Sequence, residues 1–173
     1  MPAPLGPAAQ RVADLEIRGQ ATVGGNVCAP PGGEAPRGDL QAPLIALDAR
    51  VPSGGPGGER TESVEQFLAG GAEGRLVLGV EFDDPSAGAY VSLRRPHAHT
   101  YTILAVAAAE TPNGLRVAVF GAGPRARRCP SVEASRDPQA VLKDVEPHDD
   151  VLASAWYRSK VLPGLVQQAL GQL

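Results

Sequence analysis

Thr22, Val23, Gly24, Gly25 and Asn26 place a hydroxyl, two adjacent glycines and a carboxamide side by side, inside the stretch IRGQATVGGNVC from Ile17 to Cys28. Glycine lets backbone N–H groups come close to a ligand because no Cβ intervenes. A run of such groups makes a concave donor site suited to an anion such as a phosphate. The same glycine pair also serves an ordinary turn, and the stretch reads as one tight turn in either role. Downstream, Asp39 precedes LQAPLIALD. There an acidic side chain can cap a helix, and it can equally accept a hydrogen bond from a ligand.

Other chemistry is thinly represented. His97 and His99 are two apart and would share a face on a strand, but no third ligand lies near them in sequence, and His148 is remote. Zinc wants three or four converging ligands, so these make a poor metal site. The two cysteines, Cys28 and Cys129, belong to no CxxC. An iron–sulfur cluster needs four thiolates, so this chain holds none by itself, while a disulfide stays open. No GxSxG elbow or Walker A loop occurs. GAGPRA at 121–126 resembles a dinucleotide turn, but it lacks the third glycine and leads into Arg127, Arg128, Cys129 and Pro130 instead of a helix. Arg125, Arg127 and Arg128 read as a solvated basic loop.

Charge and length exclude further classes. With 16 basic and 19 acidic residues the net charge is −3, which leaves no electrostatic footprint for nucleic acid. The start MPAPLGPAAQ lacks the basic and long apolar runs of a signal peptide. No apolar stretch approaches the ~20 residues of a membrane span. A cytoplasmic protein is expected. Its 173 residues suffice for one domain or two small ones. The 21 glycines and 17 prolines imply many turns, and with 4% aromatic residues the core must be built from Leu, Val and Ala.

The elements that position these residues follow from periodicity and breakers. Residues 7–16 read as a short helix with Ala8, Val12 and Leu15 on one face. Residues 29–38, APPGGEAPRG, are a loop. Asp39 starts a helix in which Leu40, Leu44 and Leu47 are the apolar face and Pro43 is tolerated in the first turn. Residues 49–61 form a hairpin with a long glycine-rich tip, 62–68 a helix closed by Gly70 and Gly71, and 76–82 a strand. The turn-rich segment at Asp83 to Gly88 marks a domain boundary. Beyond it, 89–95 is extended. The β-branched residues of 100–109 and the turn signal Pro112-Asn113-Gly114 give a second hairpin with Leu115 to Gly121. A connection, a helix from Asp137 or Pro138 to Val145, and a helical 150–173 kinked at Pro163 complete the chain.

Taken in order, these landmarks resemble a known family. IRGQATVGGNVC, Asp39-Leu40, LIALDARV and a glycine-rich hairpin with Arg60, followed by LRRPHAHTYTILAVAAA, VFGAGPRA and PHDDVLASAWYRSKVLPGLVQQAL, are similar to the FAD-binding (medium) subunit of the xanthine dehydrogenase and carbon monoxide dehydrogenase family of molybdenum hydroxylases. The resemblance runs from about Pro7 to Leu173. It implies an α+β fold, with the second subdomain of a PCMH-type FAD-binding domain at 1–84. A small C-terminal α+β domain, an antiparallel sheet with helices, follows at 88–173. It also implies an oxidoreductase subunit that works only within a complex. There FAD relays electrons from [2Fe-2S] clusters on a small partner subunit, reduced by a molybdenum-cofactor large subunit, to an acceptor. Thr22, Val23, Gly24, Gly25 and Asn26 match the family's TIGGN-type loop at the FAD phosphates, and Asp39 matches its cofactor-bonding Asp. No catalytic residue and no metal ligand is implied for this chain.

The sequence departs from the family in a few places. Relatives begin with another subdomain, whose AGGT-type loop holds the pyrophosphate from the other side. The present sequence starts where the second subdomain begins, so that wall would come from a separate chain. The alternative is a truncated, flavin-free interaction or assembly module that keeps the fold. The loop at 29–38 is also longer than usual. Ser92 stands near a position where many relatives carry Lys, and Gly19 stands where they carry Asn.

Overall fold

Thr102–Thr111 form the longest strand, β5, and its first eight residues are all buried. Side chains alternate across a strand, so β5 has to satisfy a core on each side. One side presents Ala105, Ala107 and Ala109, and the other presents Leu104, Val106 and Ala108. The molecule is laid out around that difference, in a computed structural model that describes residues 3–31, 37–72, 74–94 and 101–173.

Nine elements precede β5. The first three are the short helices α1 (Leu5–Ala9), α2 (Leu15–Gln20) and α3 (Val23–Val27), followed by α4 (Gln41–Ala46). A three-stranded antiparallel sheet in the order β2-β1-β3 comes next. It is made of β1 (Arg50–Gly55), β2 (Gly58–Ser63) and β3 (Leu76–Val77), and α5 (Val64–Gly70) is inserted between β2 and β3. The ninth element, β4 (Ala87–Arg94), opens a second antiparallel sheet. It is completed by β5, β6 (Gly114–Phe120) and β7 (Arg127–Arg128), in the order β4-β5-β6-β7. Helix α6 (Pro130–Ser135), a 3-10 turn at Pro138–Lys143 and α7 (Ala155–Leu170) close the chain.

The small residues of β5 explain the packing. On the alanine face, joined by Ala118 and Phe120, lies α4, every residue of which is buried. Alanine leaves room for a helix to approach closely. The opposite face, with Val117 and Val119 of β6, is covered by Val132, Val141, Leu162, Val166 and Ala169. The expected aromatic-poor core is what forms.

Several elements differ from the sequence reading. The helix expected at 7–16 breaks after Ala9, and α2 begins at Leu15 behind an Asp14 cap that accepts from the Ile17 amide. The hairpin tip is the two residues between β1 and β2, so the glycines Gly54 and Gly55 lie in the strand itself. The strand at 76–82 shrinks to Leu76–Val77 plus a bridge from Glu81 to Arg50. Ser63 caps α5 in a capping box with Gln66. The segment after β6 was expected to be a plain connection, but it contributes β7 and leads into α6. The expected helix at 138–145 is the 3-10 turn, with Asp137 accepting from the Gln139 amide. Asp150 stops the last helix from starting at 150, because its carboxylate accepts from the Leu152 and Ala153 amides and forms a turn. Ser154 then caps α7, which runs through Pro163.

The largest surprise is Arg158, which has no exposed surface. Its Nη1 donates to the Ile103 carbonyl at 2.8 Å and also to the Gly121 carbonyl, and Nη2 pairs with Asp150. It therefore ties α7 to the start of β5, the end of β6 and the loop before the helix. At Gly121 φ is +83°, and an added Cβ would strike the Ile103 carbonyl, so only glycine fits there.

Arg158→Met should lower unfolding free energy by about 3–5 kcal/mol in urea melts, because it strands two buried carbonyls and the Asp150 carboxylate. Asp150→Asn keeps a partner for the guanidinium and should cost less.

Candidate functional site

The opening stretch forms two helices, not one tight turn. Thr22 is the N-cap of α3, and its Oγ1 accepts from the Gly25 amide at 3.0 Å. Gly24 and Gly25 sit within the helix, and neither has a positive φ. Glycine inside a helix costs about 1 kcal/mol relative to Ala, so α3 depends on its cap and on what Asn26 does. The Asn26 carboxamide works at both ends: Nδ2 donates to the Arg37 carbonyl at 3.1 Å, and Oδ1 accepts from the Leu40 amide at 2.8 Å. The helix is thereby clamped to the segment 37–40. Just beyond the clamp, the Gln41 side chain donates to the Val27 and Ala29 carbonyls at 3.2 and 3.1 Å.

That clamp fixes Asp39, which does not cap α4. Leu40 occupies the cap position without a side-chain bond, and Asp39 is 7% exposed. Burial pushes its carboxyl above the ordinary value, while the Thr102 hydroxyl and the charges of Arg37 and Arg94 pull the other way. Beside it, the Tyr90 hydroxyl and Thr102 Oγ1 are buried, and neither makes a hydrogen bond of good geometry. The Tyr90 phenol is raised too, by burial first and by the Asp39 charge second. Buried polar groups in folded proteins are normally paired, so a cluster left unmade marks a place where a ligand or water completes it.

Asp39 and Thr102 lie along a groove of about 580 Å3 between α2, α3 and the start of β5, with Tyr90 behind the lining. That volume falls within the ~300–1,000 Å3 of small-molecule sites. Of the residues singled out from sequence, Thr22, Gly25, Asn26 and Asp39 line it. Val23 and Gly24 lie on the same helix outside the lining, with open space around the Gly24 Cα. Arg37, Tyr101 and Thr102 join the lining. No local signal announced them, since Thr102 reaches the groove from the other half of the chain. Ile17 and Ala21 supply an apolar wall. The Thr102 hydroxyl, the acceptor Asp39 and the apolar wall suit a ligand with both polar and flat apolar parts, which is the character of a flavin nucleotide.

His97 and His99 lie outside the described residues. Among the described residues no group of three or more His, Cys, Asp and Glu could hold a metal, and no helix is long and apolar enough to cross a membrane. The basic cluster divides. Arg128 pairs with Glu133 at 2.7 Å, whereas Arg125 and Arg127 are exposed. Cys28 and Cys129 are both free.

Residues 3–82 match the family described as the FAD binding domain in molybdopterin dehydrogenase. A protein of Escherichia coli K12, YgfM, itself described as uncharacterized, is 30% identical over 172 residues. That alignment takes in 96% of this chain, and the chain spans 63% of the length of YgfM. Carbon monoxide dehydrogenase from Hydrogenophaga pseudoflava contains a chain of the same fold, with TM-score 0.80 and 24% identity over 99% of this chain and 67% of that one. A Cu,Mo-CO dehydrogenase chain superposes with TM-score 0.84 at 20% identity, over 99% and 67%. For quinoline 2-oxidoreductase from Pseudomonas putida 86 the values are 0.79 and 20%, over 98% and 67%. The family resemblance and the α+β fold read from the sequence are both borne out.

Asp39 generates a pH prediction. Its pKa is higher folded than unfolded, so the folded chain holds that proton more tightly. Stability therefore falls as pH rises from the ordinary carboxylate value of about 4 through the raised one. Asp39→Asn should stabilise the unliganded chain increasingly across that window, as read by urea melts from about pH 4 to 8. Asn26→Ala should free the 37–40 segment, seen as faster amide exchange at Leu40, and cost about 1–3 kcal/mol.

Proposed function

We propose that this chain is the FAD-binding, electron-transferring component of a molybdenum hydroxylase. It would receive electrons from [2Fe-2S] clusters on a small partner subunit, itself served by a molybdenum-containing large subunit, and hand them to an acceptor. Residues 1–84 carry the groove helices as part of the FAD-binding domain. Residues 88–173 form the C-terminal domain, whose strand β5 closes the groove with Thr102. The observation that carries this reading is the coincidence of two facts. The 3–82 family match contains α3 and Asp39, and those residues converge with the buried Thr102 hydroxyl on one groove.

Bound flavin would supply the redox chemistry, and the protein's part is to bind, orient and control access. Thr22 holds α3 in place. Gly25 keeps the groove wall low. Asn26 positions the 37–40 segment. Asp39 accepts a hydrogen bond from a ligand hydroxyl, and Ile17 and Ala21 offer apolar contact. No residue of this chain is required as a general acid or base.

The chain, purified alone and with its natural partners, should show visible flavin absorbance. Gly25→Leu should abolish it while the protein stays folded, because the added Cβ lies 3.1 Å from Thr22 Oγ1 and the branch fills the groove. A colourless, folded protein that takes up no FAD even with its partners would overturn the reading in favour of a flavin-free interaction module.

A further inference from the structure

Arg37 lines the groove, and its guanidinium has no part in the ligand contacts assigned above. It lies in the glycine- and proline-rich stretch 29–38 and is held at three points, one on its backbone and two on its side chain. Asn26 Nδ2 fixes its carbonyl at 3.1 Å, its Nη2 donates to the Thr102 carbonyl at 3.0 Å, and its guanidinium lies 5.0 Å from the Phe120 ring centroid. A cation over an aromatic face is attracted by the ring quadrupole, which holds the guanidinium in place. Yet Nε is buried and makes no hydrogen bond. Asp39 and Asp150 lie within electrostatic reach, but among the ion pairs of the described residues neither is joined to Arg37, and Asp150 is taken by Arg158. A restrained, half-buried cation with an unmade donor is costly to leave as it is.

The electrostatics of the groove point the same way. Among its described lining residues Arg37 brings the positive charge and Asp39 the negative. A phosphorylated ligand would meet only the partial charges of the short α3 amides and the repulsion of Asp39, unless Arg37 answers it. Guanidinium is suited to this, since it pairs with phosphate oxygens through a planar array of donors and stays charged at any working pH.

We propose that Arg37 is the anion-pairing residue of the groove, selecting a ligand that carries a phosphate ester over its uncharged analogue. Resting on the flavin reading above, this means FAD and FMN over riboflavin. Ordering by Asn26 then acquires a purpose, because the carboxamide of the glycine motif sets the backbone from which this cation reaches.

Fluorescence titration of the full chain with FAD, FMN and riboflavin tests the proposal. Arg37→Met should weaken FAD and FMN by about tenfold or more, the scale of one charge-assisted contact. Riboflavin should change by less than about twofold, and Arg37→Lys should restore most of the loss. Raising KCl should weaken FAD binding to the native chain and leave Arg37→Met little changed. Equal losses for riboflavin and FAD, or no loss for FAD, would overturn it. Arg37→Gln gives the same comparison if Arg37→Met does not fold. Should the native chain bind no flavin, the flavin reading falls separately and ADP carries the test. ADP should then raise the melting temperature of the native chain and not of Arg37→Met. Equal responses, or none, would refute the role of Arg37 as well.

Discussion

A guanidinium with no exposed surface holds the corner on which this fold depends. Arg158 takes the Ile103 and Gly121 carbonyls and the Asp150 carboxylate at once. A buried charge is tolerated only when it is fully paired, so each partner must stay where it is. Burial acts to raise the Asp150 carboxyl, but bonds from the Ala153 and Leu152 amides and the Arg158 charge outweigh it and leave it lowered. The corner therefore fixes the start of β5, the end of β6 and the approach to α7 together. Gly121, the residue that a side chain would push off the Ile103 carbonyl, completes the joint.

The groove is built directly on that corner. Ile103 O receives Arg158 and the adjoining Thr102 O receives Arg37, so two guanidinium groups dock on successive carbonyls of one strand. One comes from the C-terminal helix and the other from the loop before α4. Thr102 is thus positioned from both halves of the chain, with its hydroxyl beside Asp39. This explains how a buried carboxylate is kept beside unpaired hydroxyls.

The helical state of the glycine motif alters how it works. A glycine turn would present amides through left-handed backbone. Here the backbone is helical, the Thr22 hydroxyl already consumes the Gly25 amide, and Asn26 is fully occupied with the 37–40 segment. The motif therefore organises a neighbouring stretch as much as it faces a ligand. The absence of a Cβ at Gly25 keeps the groove wall low, while the charges come from Asp39 and Arg37 downstream.

Some of this was written in local sequence. The hairpin around Pro112-Asn113-Gly114, the aromatic-poor core and the family resemblance of the TVGGN and Asp39 landmarks all rest on interactions within a few residues, or on their order along the chain. What tertiary structure alone decided concerns residues whose partners are distant. Asp39 reads as a cap until α4 buries it against Thr102. Arg158 reads as the polar side of an amphipathic helix until two strand-end carbonyls claim it. Arg37 reads as loop charge until Asn26 and Phe120 pin it beside the groove. Propensity and spacing describe what a segment prefers alone. Burial and the pairing of buried charge are set by neighbours that the linear order does not place side by side.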